Sequence, residues 1–250
     1  MKTVVVIPAR YGSSRLPGKP LRELAGKPLI QHVHERALAA GFEDVLVATD
    51  DGRIRQVCED FGARVAMTAS THETGSDRLA EVVQQQAWPD DTIVVNLQGD
   101  EPLTPVANLH QLARNLERFP QAGIATLATP IRSKEDFFNP NVVKVVRDEQ
   151  GMALYFSRAP IPFQRDDGAE LGSYALRHIG MYAYRAGFLK AFAGLMPSYP
   201  EQLEKLEQLR ALSHGYNIHV DIAAEMPGTG VDTGEDLLKV EELLVRMAKQ

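Results

Sequence analysis

Arg10, Arg15 and Lys19 fall within or next to one short stretch, YGSSRLPGKPL, which follows the apolar run TVVVIPA. Cations and glycines just beyond an apolar run can hold an anion, because backbone N–H groups and charged side chains converge on it. The stretch comes close to a P-loop and departs from it twice. Five residues separate Gly12 from Gly18 where G-x-x-x-x-G-K-[ST] has four, and Pro20 follows Lys19. Pro20 brings neither a hydroxyl for Mg²⁺ nor an N–H for a phosphate. If a triphosphate binds here, its metal must be held from elsewhere. Asp100, in NLQGDEP at the end of an apolar run, is one source, with Gly99 permitting close backbone approach. Asp232, in GTGVDTGED, is another. Both acids read equally well as solvated carboxylates, and Asp232 also as a helix-start acid. Asp236 fits that last role better, by its spacing from Thr233.

The remaining reactive residues say less. GTGVDTG lacks the G-x-G-x-x-G spacing and a following βαβ unit, which argues against dinucleotide-dependent hydride transfer. His32 and His34 are two apart on an expected helix, so they face apart. His178 stands beside Arg177 in a strand-like run that also carries Tyr182, and reads as an ordinary core or surface histidine. Cys58 reads as a buried thiol. Zinc spacings, G-x-S-x-G and H-E-x-x-H do not occur.

The elements around these residues follow from apolar periodicity. TVVVIPA, DVLVATD and ARVAMT read as strands and TIVVNLQGDEP as a strand running into a loop; PLIQHVHERALAAG, DGRIRQVCEDFG, GSDRLAEVVQQQA and TPVANLHQLARNLERF read as helices, the last with Thr104 as its cap. Strands alternating with amphipathic helices over residues 1–119 predict an α/β fold with a doubly wound, mostly parallel sheet. In such sheets ligands bind beyond the carboxyl ends of the strands, where the Lys19 loop lies. Residues 123–184 are strand-rich instead: GIATLATPI, NVVKVVRD, MALYFS and LRHIGMYAYR predict a smaller antiparallel insert within a single domain, a place for subunit or substrate contact. PEQLEKLEQLRALSHG reads as one helix with leucines at 203, 206, 209 and 212, and TGEDLLKVEELLVRMAK as the last helix.

Composition limits the functions. The chain has 250 residues, 44% of them hydrophobic, which suits one large domain with a full core. Its net charge of −6 argues against nucleic-acid binding. Residues 1–36 nevertheless carry seven Lys or Arg and two Glu, which points to a local anion site. No apolar run approaches the roughly 20 residues needed to cross a bilayer, so no membrane role is expected. A single cysteine precludes an internal disulfide and fits a reducing, cytoplasmic setting.

Together these stretches resemble the 3-deoxy-manno-octulosonate (Kdo) cytidylyltransferase family. VVVIPARYGSSRLPGKPL, HETGSDRLAEV, VVNLQGDEP, FNPNVVKVV, ALYFSRAPIP, RHIGMYAYR, LEQLRAL and PGTGVDTGEDL occur in the family's order across nearly the whole chain. The resemblance implies a nucleotide-diphospho-sugar transferase-like fold, a cytoplasmic Mg²⁺-dependent homodimer, and transfer of CMP from CTP to Kdo for lipopolysaccharide synthesis. By motif match it places Arg10, Arg15 and Lys19 on the triphosphate, with Arg15 and Lys19 catalytic. Ser76 and Arg78 fall near the cytosine. Asp100 and Asp232 fall on magnesium, both catalytic. Gln98, Arg158, His178, Tyr182 and Glu207 fall on the sugar. Gly234 stands where a proline is common, which would loosen the start of the last helix near Asp232. A related cytidylyltransferase for another acidic sugar, or a non-catalytic nucleotide-sugar binding module, fits the same loop.

Overall fold

A computed structural model describes residues 1–12, 16–72, 74–166 and 170–247. β1 (Thr3–Ala9) is buried on both faces. Val5 and Ile7 enter one apolar layer and Val4 and Val6 the other, which is why the run is continuously apolar. A 3₁₀ turn at Lys19–Leu21 follows, then the paired two-residue strands β2 (Glu23–Leu24) and β3 (Lys27–Pro28). Next come α1 (Leu29–Ala39), β4 (Val45–Thr49), α2 (Gly52–Asp60), β5 (Arg64–Met67), α3 (Gly75–Gln85), β6 (Ile93–Asn96) and α4 (Val106–Arg118). The second half holds β7 (Ala122–Pro130), α5 (Lys134–Phe138), β8 (Lys144–Arg147), β9 (Ala153–Ser157), α6 (Leu171–Tyr174) and β10 (Leu176–Arg185). It ends with α7 (Ala186–Phe192), α8 (Tyr199–Glu204), α9 (Gln208–Ser213), β11 (Asn217–Ile222) and α10 (Gly234–Met247).

The main sheet runs β11-β7-β10-β6-β1-β4-β5. β1 pairs parallel with β4 and β6, and β4 with β5, so the expected doubly wound half is present. Residues of α1, α2 and α4 such as Val33, Ile54 and Leu112 cover one face. Leu79 of α3, Phe188 of α7 and Leu209 of α9 cover the other. No helix among the described residues is long and apolar enough to cross a membrane.

The strand-rich segment 123–184 divides between two places. β7 and β10 lie inside the main sheet, where β10 is antiparallel to both β6 and β7. Only the β8–β9 hairpin leaves the main path, paired to the start of β10. Two local expectations need correction. Thr104 does not cap α4: its hydroxyl donates to Glu101 O at 3.0 Å, and Pro105 takes the cap position. Residues 199–213 form two short helices, because Lys205 adopts φ 52°, ψ 48° and stops α8. Leucines 203 and 212 are nine residues apart, two and a half turns, so one straight helix would set them on opposite faces. The break leaves Leu203 exposed and buries Leu206 and Leu209.

Candidate active site

Two parallel strands and one antiparallel strand build the site. Val6 of β1 pairs with Asn96 of β6, so the segments leaving both strands emerge side by side. They meet at Gly99, where an added Cβ would sit 2.7 Å from Pro8 O. A larger residue there would force the strands apart. On the far side of β6, Tyr182 of β10 pairs with Asn96. The start of α3 and the turn between α8 and α9 complete a cleft of about 470 Å³.

Nine of the residues expected at a site line this cleft: Arg10, Lys19, Ser76, Arg78, Gln98, Asp100, Tyr182, Glu207 and Asp232. One end is charged. The Lys19 ammonium donates to Asp100 Oδ2 at 2.6 Å, Asp232 Oδ1 at 3.3 Å and Val231 O at 2.9 Å. Asp232 reaches this point because its loop folds back on the 100–103 segment. Val231 N donates to Asp100 O at 2.8 Å, and Gly228 has no room for a Cβ against Leu103. The start of α10 is fixed despite Gly234. Asp236 Oδ2 accepts from Thr233 N at 2.9 Å and from Asp232 N at 3.2 Å, and Asp236 N donates back to Thr233 Oγ1. Burial, then the neighbouring Asp100 charge, pushes the Glu101 carboxyl up to about 7.

The other end is polar and largely enclosed. Asn96, Ser76 and Tyr184 are buried, with Ser76 Oγ 3.3 Å from the Tyr184 hydroxyl. Burial raises the Glu207 carboxyl, against hydrogen bonds with Thr74 and Ser76 that favour its ionised form. Burial, then Tyr184 and Glu207, raises the Tyr182 phenol, which keeps its proton and stays a neutral hydrogen-bonding group. Arg78 lines the cleft from a buried position and is committed inward, its Nη2 donating to Asp50 Oδ2 at 3.1 Å and its Nη1 to Thr68 Oγ1.

Two expected residues do not line the cleft. Arg158 Nε donates to Glu204 O at 2.7 Å and Nη1 to Pro140 O at 2.9 Å, so its guanidinium ties the end of β9 to α8 and to the residues before β8. His178 lies one layer back, its ring 5.4 Å from that of Tyr182 and its Nε2 3.0 Å from Thr126 Oγ1. A bulge between Ile179 and Tyr182 separates the two on β10. Burial holds the His178 ring down to about 3. Arg15 lies outside the described residues. Thr74, Asn96 and Tyr184 line the cleft without having been singled out. Asn96 had a sequence signal, a polar side chain closing the apolar run TIVV, and Tyr184 had another, its period-two spacing from Tyr182.

The Asp100–Asp232 pair already closes on one cation, the Lys19 ammonium. Two carboxylates facing a phosphate-sized cleft fit Mg²⁺, which binds through one or two carboxylates and completes its shell with water and substrate phosphates. Among the described residues no three His, Cys, Asp or Glu side chains cluster as a larger all-protein metal cage.

Comparison with known proteins gives a consistent picture. A family model described as cytidylyltransferase matches residues 4–222. A 3-deoxy-manno-octulosonate cytidylyltransferase of Thioalkalivibrio sulfidiphilus is 59% identical over 248 residues, covering 98% of this chain and 99% of that one. One of Vibrio campbellii is 54% identical, with both chains fully covered. Among solved structures, a CMP:2-keto-3-deoxy-manno-octonic acid synthetase complexed with CTP superposes with a TM-score of 0.89 at 46% identity, covering 99% of this chain and 100% of that one. A 4-diphosphocytidyl-2C-methyl-D-erythritol synthase shares the fold at a TM-score of 0.63 and 15% identity, covering 97% and 98%.

Proposed function

The chain belongs to the 3-deoxy-manno-octulosonate cytidylyltransferase family, and from that premise we propose how its cleft transfers CMP from CTP to Kdo. The anomeric hydroxyl oxygen of Kdo attacks the α-phosphorus in line. The bond from that phosphorus to the bridging oxygen breaks, and pyrophosphate leaves with the electron pair. The protein's share is positioning and charge neutralisation, since phosphoryl-type transfers ask for little covalent chemistry from the enzyme.

The observation that carries the reading is the grip of Asp100 and Asp232 on a single cation at the charged end of the cleft. Asp100 and Asp232 would hold Mg²⁺ there. Bound, the metal supplies neutralisation of phosphate charge and acidification of the attacking hydroxyl. Lys19, released from the carboxylates, together with Arg10 and Arg15, offsets charge on the leaving pyrophosphate. Ser76, at the start of α3, falls near the cytosine, and Arg78 backs it from its buried place against Asp50 and Thr68. Gln98, Tyr182 and Glu207 face the sugar with hydrogen-bonding groups that suit its hydroxyls. His178 supports Tyr182 from behind, and Arg158 would meet the sugar carboxylate only by giving up its two carbonyl partners.

The product serves lipopolysaccharide synthesis, and the enzyme works in the cytoplasm as a homodimer. Exposed Phe138, Leu154 and Phe163, all within residues 123–184, support that segment as the subunit contact. The test is pyrophosphate release from CTP, UTP, ATP and GTP against Kdo, 8-amino-Kdo and N-acetylneuraminate with Mg²⁺. Release requiring CTP and Kdo is the expected result. Folded protein that binds CTP and stays silent across the grid would sink the proposal.

A further inference from the structure

We infer that a void behind the polar wall of the cleft holds one ordered water, and that this water makes Gln208 a positioning residue for Glu207. The functional half of the inference rests on the reading of Glu207 as a sugar ligand. The void measures about 20 Å³ and is walled by Phe188 and Phe192 on its apolar side and by Ser76, Tyr184, Glu207 and Gln208 on its polar side. Two of those residues bring buried atoms with no hydrogen-bond partner among the described residues: Glu207 Oε1, an acceptor, and Gln208 Nε2, a donor. Gln208 is 8% exposed, so bulk solvent does not serve its amide.

Buried polar atoms are satisfied almost without exception, by protein or by ordered water. A water needs roughly 10–15 Å³ and two to four polar partners, and this void provides both. A water here accepts from Gln208 Nε2 and donates to Glu207 Oε1. Its second hydrogen faces the hydroxyl pair of Ser76 and Tyr184, which lie 3.3 Å apart. Glu207 and Gln208 are consecutive at the start of α9, immediately after the left-handed break at Lys205. That break lets neighbouring side chains reach one chamber. Held at Oε1 by the water, in addition to its hydrogen bonds with Thr74 and Ser76, the Glu207 carboxyl keeps a fixed orientation toward the cleft.

The first test is a crystal structure of the full chain at a resolution that shows waters. A peak within hydrogen-bond distance of both Glu207 Oε1 and Gln208 Nε2 is expected, and a dry void, or a direct bond between the two side chains, overturns the inference. The second test compares two variants. Gln208→Met fills the space without an amide and should raise the KM for Kdo about tenfold. Gln208→Ala opens the chamber to further waters and should raise it only about threefold. The KM for CTP should stay within about twofold in both, because the charged end is untouched and Ser76 keeps its contact with the Tyr184 hydroxyl. A purely packing role predicts the reverse order, and Ala worse than Met would remove the positioning role. Glu207→Gln separates the two readings. An unchanged KM for Kdo there sinks the sugar role of Glu207, whereas the crystallographic peak judges the water independently.

Discussion

The two ends of the cleft are built on opposite physical plans. At the charged end, Lys19, Asp100 and Asp232 come from three loops and meet as ions. At the polar end, Asn96, Tyr182 and Tyr184 come from adjacent strands, and Ser76 and Glu207 from helix starts, and they meet mainly through hydrogen-bonding groups. Ions on loops can exchange partners, and the proposed mechanism asks this of Lys19, which would trade carboxylate for phosphate. Buried neutral groups on strands cannot exchange so easily, because each unpaired one costs about 1–3 kcal/mol. The first plan suits a substrate whose charge moves during reaction, and the second suits uncharged parts, the sugar hydroxyls and the base, that must be recognised by position.

Breaking the charged end should give the largest effect. Asp100→Ala removes half of the carboxylate pair and should lower turnover by about 10³-fold or more, while the melting temperature moves by only a few degrees. Pyrophosphate release and thermal unfolding measure the two sides of that statement. Substantial activity at saturating Mg²⁺ would remove Asp100 from the metal. At the polar end Glu207→Gln should be milder and selective, raising the KM for Kdo about tenfold with the KM for CTP nearly unchanged. Equal loss toward both substrates would erase the division between the ends.

The same division decides what the sequence alone reveals. Lys19 and Asp100 are readable because each follows an apolar run, and parallel strands bring such exits together at one edge. Gly99 is readable for a related reason, since its backbone passes Pro8 with no room for a side chain. The polar end is much less readable. Its geometry depends on β10 running antiparallel into the middle of the sheet and on Lys205 splitting a helix; periodicity does not reveal the first, and only the drift of the leucines from 203 to 212 hints at the second. Arg158 shows the limit of motif matching. Its position in the chain matches the family, yet its side chain is occupied by Glu204 O and Pro140 O, partners remote in sequence.

The next effect reads through pH. In the folded chain the His178 ring is held down to about 3 by burial, well below the ordinary value of 6.5. The unfolded chain therefore binds a proton that the folded chain refuses. The stabilising contribution is complete above about pH 6.5 and is lost progressively as pH falls toward 3. One such group changes stability by at most about 1.4 kcal/mol per pH unit. Unfolding midpoints in urea between pH 7 and 4 should fall less steeply for His178→Gln than for the parent. Parallel curves would show that this ring titrates normally, and that the layer behind Tyr182 is wetter than its contacts with Phe156 and Thr126 imply.

The smallest effect expected is that of nucleotide on Cys58 of α2, the helix that touches the phosphate-side loop through Arg53 and Tyr11. Cys58, on the buried face of α2, is fully buried, and burial, with a smaller contribution from Glu59, pushes its thiol up to about 12. Only the thiolate reacts with disulfide reagents, so at pH 8 the folded chain should label about 10³-fold more slowly than the unfolded chain. The same helix carries Arg53, whose guanidinium lies 3.3 Å from the centre of the Tyr11 ring in the phosphate-side loop. If ligand exchange at Lys19 is confined to side chains, adding CTP and Mg²⁺ should leave the labelling rate of the folded chain within about twofold. A rate that drops by tenfold on adding nucleotide would mean that α2 opens with the loop, and that the charged end exchanges its partners by moving backbone.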